Sequence, residues 1–163
     1  MEDLRDQTVT GLLRIHGAVL DELRRRAIVR SANGPAGDYA EVLFSRAFGW
    51  TLAGGSSSGH DAVDANGARF QIKCRRITAR NASRQLSALR NLPSRPFDIL
   101  AAVLLDEQYR VLRAALIPID VVIERSTFTA HVNAHRFILR DPVWGHEGVT
   151  DVTDQLRQIE NTL

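Results

Sequence analysis

Apolar residues recur every three or four positions in the first fifty residues, which is the spacing of an amphipathic helix. Residues 8–27 carry this pattern, and residues 35–48 carry it again after a glycine- and proline-containing break. Pro35 favours the start of the second helix, because proline fits the first helical turn. The first helix is expected to pack on the core through an apolar stripe of Leu12, Ile15, Val19, Leu23 and Ala27.

The rest of the chain combines short strand patterns with further helix patterns. The continuous apolar run at residues 97–105 is typical of a strand that is buried on both faces. Strands are predicted at residues 50–52, 97–105, 109–117 and 136–140. Further helices are predicted at residues 81–91, 118–124 and 150–161.

Residues 59–76 predict a β-hairpin, around which we expect the other elements to be organised. The turn DANG at residues 64–67 has aspartate at its first position and glycine at its fourth, where a positive φ is favoured. A three-residue loop of this kind pairs Asp61 with Gln71, whereas a two-residue loop would shift the pairing. Because strand side chains alternate, the three-residue loop places Asp61, Gln71 and Lys73 on one face.

Asp61 followed by Gln71-Ile72-Lys73 resembles the PD-(D/E)xK motif of the restriction-endonuclease-like nuclease superfamily. The chain departs from that motif because no proline precedes Asp61 and because Gln71 replaces the second acid. An amide oxygen can bind a hard cation, but it brings no charge, so a weaker metal site is expected. The resemblance implies an α/β fold with a restriction-endonuclease-like core, a mixed central β-sheet flanked by helices. The chain also resembles bacterial proteins grouped as a domain of unknown function, which implies no activity.

The nuclease resemblance implies a metal-dependent DNA endonuclease that hydrolyses phosphodiester bonds with Mg²⁺ or Mn²⁺. Asp61, the side-chain oxygen of Gln71 and the carbonyl of Ile72 would hold the metal. Lys73 would orient the attacking water and stabilise the transition state. A helix before the hairpin often donates a further acid in this superfamily, and Glu41 matches that role by position.

Asp38 is the alternative to Glu41 as the acid donated by the predicted helix at residues 35–48. It stands one turn earlier in the same helix. Its position also suits a residue that only starts the helix, because aspartate is favoured at helix N-termini. We therefore expect Glu41 to be the metal ligand and Asp38 to have a structural role.

Composition adds weight to Lys73, because it is the only lysine among 21 cationic residues. Arginine carries a planar guanidinium group that keeps its proton, whereas lysine carries a compact ammonium group whose pKa shifts with its surroundings. A single retained lysine therefore suggests a position where only an ammonium group serves. The alternative is chance in a chain that is biased towards arginine.

A basic segment follows the hairpin turn, although the net charge of the chain is only +2. Residues 65–97 include eight arginines and lysines and no acids. Such a segment beside a metal site favours a polyanion such as DNA, whose phosphates supply much of the binding energy. The alternative is a solvated arginine-rich helix, but because the segment adjoins the hairpin we expect the helix predicted at residues 81–91 to face the DNA. The arginines expected to contact DNA are Arg75, Arg76, Arg80, Arg84 and Arg90.

The length of 163 residues suits one domain with a proper core. We divide it into an N-terminal helical extension at 1–34, a nuclease-like core at 35–125 and a C-terminal strand and helix at 126–163. One cysteine excludes an internal disulfide, and no apolar run could span a membrane, so a cytoplasmic protein is expected. The glycine-serine segment at 54–59 could line a substrate groove, and a homodimer would suit double-strand cutting.

Two other functions fit the same sequence. The first is a nucleic-acid-binding module that keeps the fold but does not cleave, because Gln71 leaves the metal site short of charge. The second is an α/β protein whose hairpin resemblance is accidental and whose arginines face a protein partner. Metal affinity that is lost on replacing Asp61 supports the enzyme, and negligible DNA binding at low salt supports the second alternative.

Overall fold

The central feature of the fold is a six-stranded β-sheet, seen in a computed structural model that describes residues 3–31, 33–54 and 59–163. In these residues the α-helices are α1 Val9–Arg25, α2 Pro35–Phe48, α3 Ile119–Arg125 and α4 Thr153–Glu160. The strands are β1 Thr51–Leu52, β2 Ala62–Val63, β3 Arg69–Arg76, β4 Ile99–Leu105, β5 Val111–Pro118, β6 Thr127–Thr129, β7 Ala134–Arg136 and β8 Thr150–Asp151. None of the described helices is both long and apolar enough to cross a membrane.

The strands of the large sheet lie in the order β1-β2-β3-β4-β5-β8. Every neighbouring pair is antiparallel except β3 and β4, which run parallel. Strands β6 and β7 form a separate antiparallel pair. The described part of the chain is therefore mixed α/β, with a mostly antiparallel sheet.

The core consists of two apolar layers, one on each face of the sheet. Strand β4 contributes to both, because Ala101, Val103 and Leu105 belong to the layer under α2 and α4 while the alternate residues belong to the other layer. This double burial explains the continuous apolar run in its sequence and confirms the predicted buried strand. The Trp50 ring stacks on Phe70 with ring centroids 3.7 Å apart, which fixes β3 beneath α2.

Most predicted elements form close to their predicted positions. Helix α2 begins at Pro35 and ends at Phe48 as predicted, and Gly49 follows it with a φ of 69°. Helices α1, α3 and α4 confirm the predictions for residues 8–27, 118–124 and 150–161. The strands at 50–52, 97–105 and 109–117 are confirmed as β1, β4 and β5. The strand predicted at 136–140 is wrong in its bounds, because β7 ends at Arg136 and beyond it only Ile138 forms an isolated bridge, to Gln85.

The helix predicted at residues 81–91 is wrong. The segment is extended, and the N–H groups of Leu86 and Leu89 donate to the carbonyls of Phe137 and His135, each at 3.0 Å. Asn81 starts the segment with its side-chain oxygen accepting from the backbone of Ser83, a local turn that competes with helix formation. The two leucines are buried by pairing with a distant segment, so tertiary contacts override the helical spacing.

The inward packing predicted for α1 is also wrong. The helix forms, but Leu12 and Val19 of its apolar stripe are exposed, and Ala27 lies beyond its end. Gly11 is its only buried residue. Its apolar face therefore makes little contact with the other described elements.

Replacing Leu104 with alanine is expected to lower the free energy of unfolding by about 2–5 kcal/mol, because the side chain is 1% exposed and leaves a cavity. The same change at Leu112, which is 41% exposed on the neighbouring strand, is expected to lower it by about 1 kcal/mol or less. Urea denaturation of both variants measures the difference. Equal losses would contradict the two-layer core described above.

Candidate functional site

The hairpin of β2 and β3 has the predicted register, with Ala62 opposite Phe70. Its turn closes through a 3.1 Å hydrogen bond from the Gly67 N–H to the Asp64 carbonyl. The Asp64 side chain accepts two further N–H groups of the loop, each at 2.9 Å. Gly67 has a φ of +82° and open space beside its Cα, so backbone conformation is what favours glycine there. The three-residue loop is confirmed.

Asp61 lies opposite Gln71 and is held at the edge of β3. Its N–H donates to the Phe70 carbonyl at 2.8 Å. Its Oδ2 accepts the Ile72 N–H at 2.7 Å and also accepts the Gln71 side-chain amide. Its Oδ1 has no hydrogen-bond partner among the described residues. One carboxylate oxygen therefore supports the strand edge, and the other is free to bind a ligand.

Gln71 and Lys73 share one face of β3, as predicted, and line a polar cleft of about 540 Å³. The opposite wall of this cleft is the segment from Ala88 to Phe97. Lys73 is half-buried and makes no hydrogen bond or ion pair with any described residue. The only lysine of the chain thus brings an uncompensated positive charge to the cleft. We call this space the Lys73 cleft.

Glu41 lies on α2, and its side chain is 19% exposed and paired with Arg30. Burial raises the pKa of Glu41, the Arg30 pair opposes this shift, and the negative charges of Asp61 and Asp38 add to it. Asp61 and Glu41 are therefore close enough to interact electrostatically. Because the pKa is raised, Glu41 contributes stability below its ordinary pKa and loses that contribution as the pH rises through the raised value. A bound cation would relieve the same repulsion.

Asp38 has the structural role expected of the alternative acid. Its Oδ2 accepts the backbone N–H groups of Arg30 and Ser31, each at 2.8 Å. Burial raises its pKa, but these backbone hydrogen bonds, the Ser31 side chain and the positive charge of Arg30 together outweigh burial, and the net pKa is lowered. Asp38 thus joins the loop after α1 to α2 and is already satisfied as an acceptor.

Two of the predicted DNA-contacting arginines lie near the Lys73 cleft. Arg90 lines the cleft directly. Arg75 follows Lys73 on the same strand face, and its Nε donates to the Ser83 carbonyl at 3.2 Å. Arg80 is exposed in the segment after β3. Arg75 and Arg90 therefore give the cleft a basic border, whereas Arg80 lies on the segment that leads towards its second wall.

Two other predicted DNA contacts are tied to protein partners. Arg76 lies on the opposite face of β3, where it donates to the Glu107 carbonyl at 2.6 Å and covers the Tyr109 ring at 4.3 Å. Strand alternation directs it away from Lys73, so the structure does not bring it to the cleft. Arg84 forms a 2.7 Å ion pair with Asp141.

The second wall of the cleft was missed by sequence reasoning, which assigned much of it to a helix. Gly59 meets this wall closely, since a Cβ there would lie 2.9 Å from the Pro96 Cβ, and its φ is +72°. Asn91 and Arg95 take left-handed conformations within the wall. The available sequence signals were the two prolines, Pro93 and Pro96. Residues 55–58 of the proposed glycine-serine groove lie outside the described residues.

The site offers oxygen ligands of the kind that Mg²⁺ and Mn²⁺ prefer. Asp61 has an oxygen without a hydrogen-bond partner among the described residues and interacts with Glu41, while the Gln71 side chain and the Ile72 N–H contact its other oxygen. No three or more His, Cys, Asp or Glu side chains converge as a metal site in the described part of the chain. These residues fit a different kind of site, in which two acids are completed by an amide oxygen and a backbone carbonyl.

Comparison with known proteins leaves the function to be inferred from these residues. No family model matches the chain. No curated protein matches it either. The likeness of Asp61, Gln71 and Lys73 to the nuclease motif therefore stays a prediction, supported by their placement around one hairpin.

Proposed function

We propose that the chain is a metal-dependent DNA endonuclease that hydrolyses phosphodiester bonds. The observation that carries the proposal is the hairpin geometry, in which Asp61 and Gln71 are hydrogen-bonded and Gln71 and Lys73 line one cleft. A helix, an antiparallel hairpin and a parallel strand within one mixed sheet support a restriction-endonuclease-like core at residues 35–125. The single cysteine supports the cytoplasm as its location.

Asp61, Glu41, the Gln71 oxygen and the Ile72 carbonyl would hold Mg²⁺ or Mn²⁺. Gln71 donates its amide N–H to Asp61, so it must turn its amide to offer oxygen to an ion. Glu41 must likewise share or release Arg30. When bound, the ion would neutralise phosphate charge and lower the pKa of its water.

Lys73 would act on the phosphate through its unpaired ammonium group. A fixed positive charge in a partly enclosed cleft stabilises the negative charge that develops as water attacks phosphorus. The same N–H donors would orient the attacking water. Arg75, Arg80 and Arg90 would hold the flanking phosphates, because guanidinium groups bind phosphate oxygens in pairs. These roles require a strand of DNA to cross the mouth of the Lys73 cleft.

A non-cleaving nucleic-acid-binding module is the second candidate. The observation that favours it is the hydrogen bond from Gln71 to Asp61, which occupies one oxygen of the carboxylate without a metal and points the Gln71 amide N–H, not its oxygen, at Asp61. This module would bind DNA equally well with and without divalent ions. The endonuclease would cleave only when the metal is present.

The test is incubation of the protein with supercoiled plasmid, single-stranded DNA and branched DNA in Mg²⁺ or Mn²⁺. Cleavage of at least one substrate that stops with EDTA supports the endonuclease. Salt-sensitive DNA binding without cleavage supports the binding module. A protein that neither cleaves DNA nor binds it at low salt would contradict both proposals.

We also propose that the enzyme forms a homodimer through α1, with a second copy covering its exposed apolar face. Val9 and Leu13 on this face are 75% and 66% exposed, and the face continues to Leu20 at the 3-4 spacing of paired helices. Antiparallel pairing about His16 places Asp3 and Asp6, which precede α1 in one protomer, beside three arginines at the end of the partner's α1. Within one protomer these arginines pair with Asp21 and Glu22, so the partner's acids would add to an existing group of ion pairs. These arginines are Arg24, Arg25 and Arg26.

Replacing Leu13 with glutamate is expected to abolish dimers, because it places a charge in the apolar seam. Light scattering after size exclusion measures the molar mass at protein concentrations from about 1 to about 100 µM. The molar mass of the wild type should rise with concentration towards twice the 18.1 kDa of the monomer. Thr10→Glu, on the polar face of the same helix, is the matched control and should still dimerise. A wild type that stays monomeric throughout would contradict the homodimer but not the nuclease.

A further inference from the structure

A second cleft, of about 290 Å³, is lined by Arg125, Arg136 and Arg140. None of its lining residues lines the Lys73 cleft. Thr127 is its other polar side chain, and no acidic residue lines it. We call it the arginine cleft. Three positive charges thus surround one concave space without an acid in its walls.

The local fold directs these arginines into the arginine cleft. Arg136 ends β7 and Arg140 follows four residues later, while Phe137 and Leu139 between them are buried in the core. Alternation along this extended segment therefore places Arg136 and Arg140 on the side away from the core. Arg125 enters from the last turn of α3. A core-anchored segment and a helix end thus hold the three side chains together.

No acid in the described ranges forms an ion pair with the arginines of this cleft. Arg136 and Arg140 form no ion pair or side-chain hydrogen bond with a described residue, and Arg125 contacts a ring nitrogen of His146. Two acids adjoin these arginines in sequence: Glu124, next to Arg125, neither lines the cleft nor forms an ion pair with a described residue, and Asp141, next to Arg140, is already paired with Arg84 at 2.7 Å and with a second arginine. Like charges held around a concave site repel each other and attract an anion.

We propose that the arginine cleft binds a phosphate group. Guanidinium groups match the oxygens of phosphate with paired hydrogen bonds, and a hydroxyl such as that of Thr127 adds a further donor. The volume suits one or two phosphate groups rather than a large organic ligand. The phosphate belongs either to a DNA strand or to a small free phosphate compound. The proposal does not depend on DNA cleavage, since it concerns binding alone.

The test compares Arg136→Gln/Arg140→Gln with the wild type, using the full chain in EDTA so that no cleavage occurs. Calorimetry measures the affinity for inorganic pyrophosphate, and fluorescence anisotropy measures the affinity for a labelled DNA duplex. The matched control is Arg14→Gln/Arg46→Gln, which removes the same charge from two exposed arginines that have no ion pair with a described residue. Each single variant at Arg136 and Arg140 is measured too, in case the double variant fails to fold.

The cleft variant is expected to lose at least about 10-fold in affinity for one of the two probes, while the control stays within about 2-fold of the wild type. A loss confined to DNA identifies a strand phosphate, and a loss for pyrophosphate identifies a free phosphate ligand. Equal losses in the cleft variant and the control would show only a general charge effect and would overturn the proposal. A wild type that binds neither probe would also overturn it.

Discussion

Lys73→Ala is expected to slow DNA cleavage by about 10²- to 10³-fold while leaving DNA affinity within a few fold of the wild type. The ammonium group has no hydrogen-bond or ion-pair partner in the described part of the chain, so its removal should not disturb the fold. Its charge is expected to matter most when the phosphate gains negative charge in the transition state. Single-turnover cleavage rates and DNA dissociation constants measured side by side separate these two effects.

Lys73→Arg sharpens this test, because it keeps the positive charge but replaces a compact ammonium group with a larger, planar guanidinium group. We expect it to cleave at less than a tenth of the wild-type rate. A tenfold loss of rate requires only about 1.4 kcal/mol less stabilisation of the transition state, which a displaced positive charge is expected to cause. Arg46→Ala removes an exposed cation far along α2 and serves as the matched control, with a wild-type rate. Full activity in both Lys73 variants would remove lysine from the mechanism.

Asp61→Asn is expected to abolish the stabilisation that Mg²⁺ or Mn²⁺ gives to the folded protein. In the wild type, Asp61 accepts the Ile72 N–H at 2.7 Å. Asparagine keeps an oxygen that can accept this N–H, so the free energy of unfolding without metal should fall by only about 1 kcal/mol. A divalent ion at about 100 times its dissociation constant stabilises the wild type by about 2.7 kcal/mol. Thermal unfolding with and without each metal measures this difference.

Asp106→Asn is the matched control for that experiment. Asp106 also accepts backbone N–H groups, from Gln108 at 2.8 Å and from Arg110 at 2.9 Å, but it lies in the β4–β5 turn. Its variant should keep the full metal-induced shift in melting temperature. An undiminished shift in Asp61→Asn would show that the ion binds elsewhere.

The hairpin could be predicted from sequence because its determinants are local. The Asp64 and Gly67 turn fixes the loop, the loop fixes the register, and strand alternation then groups Gln71 with Lys73. Helix α2 was equally predictable, since Pro35 marks its start and Gly49 its end. In both elements the information lies within a few residues of the structure that it specifies.

The second wall of the Lys73 cleft could not be predicted because its determinants are distant. Leu86 and Leu89 have helical spacing, yet they pair with Phe137 and His135 about fifty residues away. For helix α1 the sequence predicted the helix but not its packing. Its apolar pattern specifies a helix, whereas nothing in the pattern identifies the surface that covers its apolar face. Arg76 was misplaced for a simpler reason, since adjacent arginines on a strand point to opposite faces.

The most direct test of the proposed activity is a time course of supercoiled plasmid with Mn²⁺, run in parallel with the wild type and Lys73→Ala. We predict nicked or linear DNA from the wild type, a pause when EDTA is added, and resumption when excess Mn²⁺ is restored. Lys73→Ala should leave the plasmid supercoiled over the same period. Equal cleavage by the two proteins, or cleavage that continues in EDTA, would contradict a metal-dependent site at the β2–β3 hairpin.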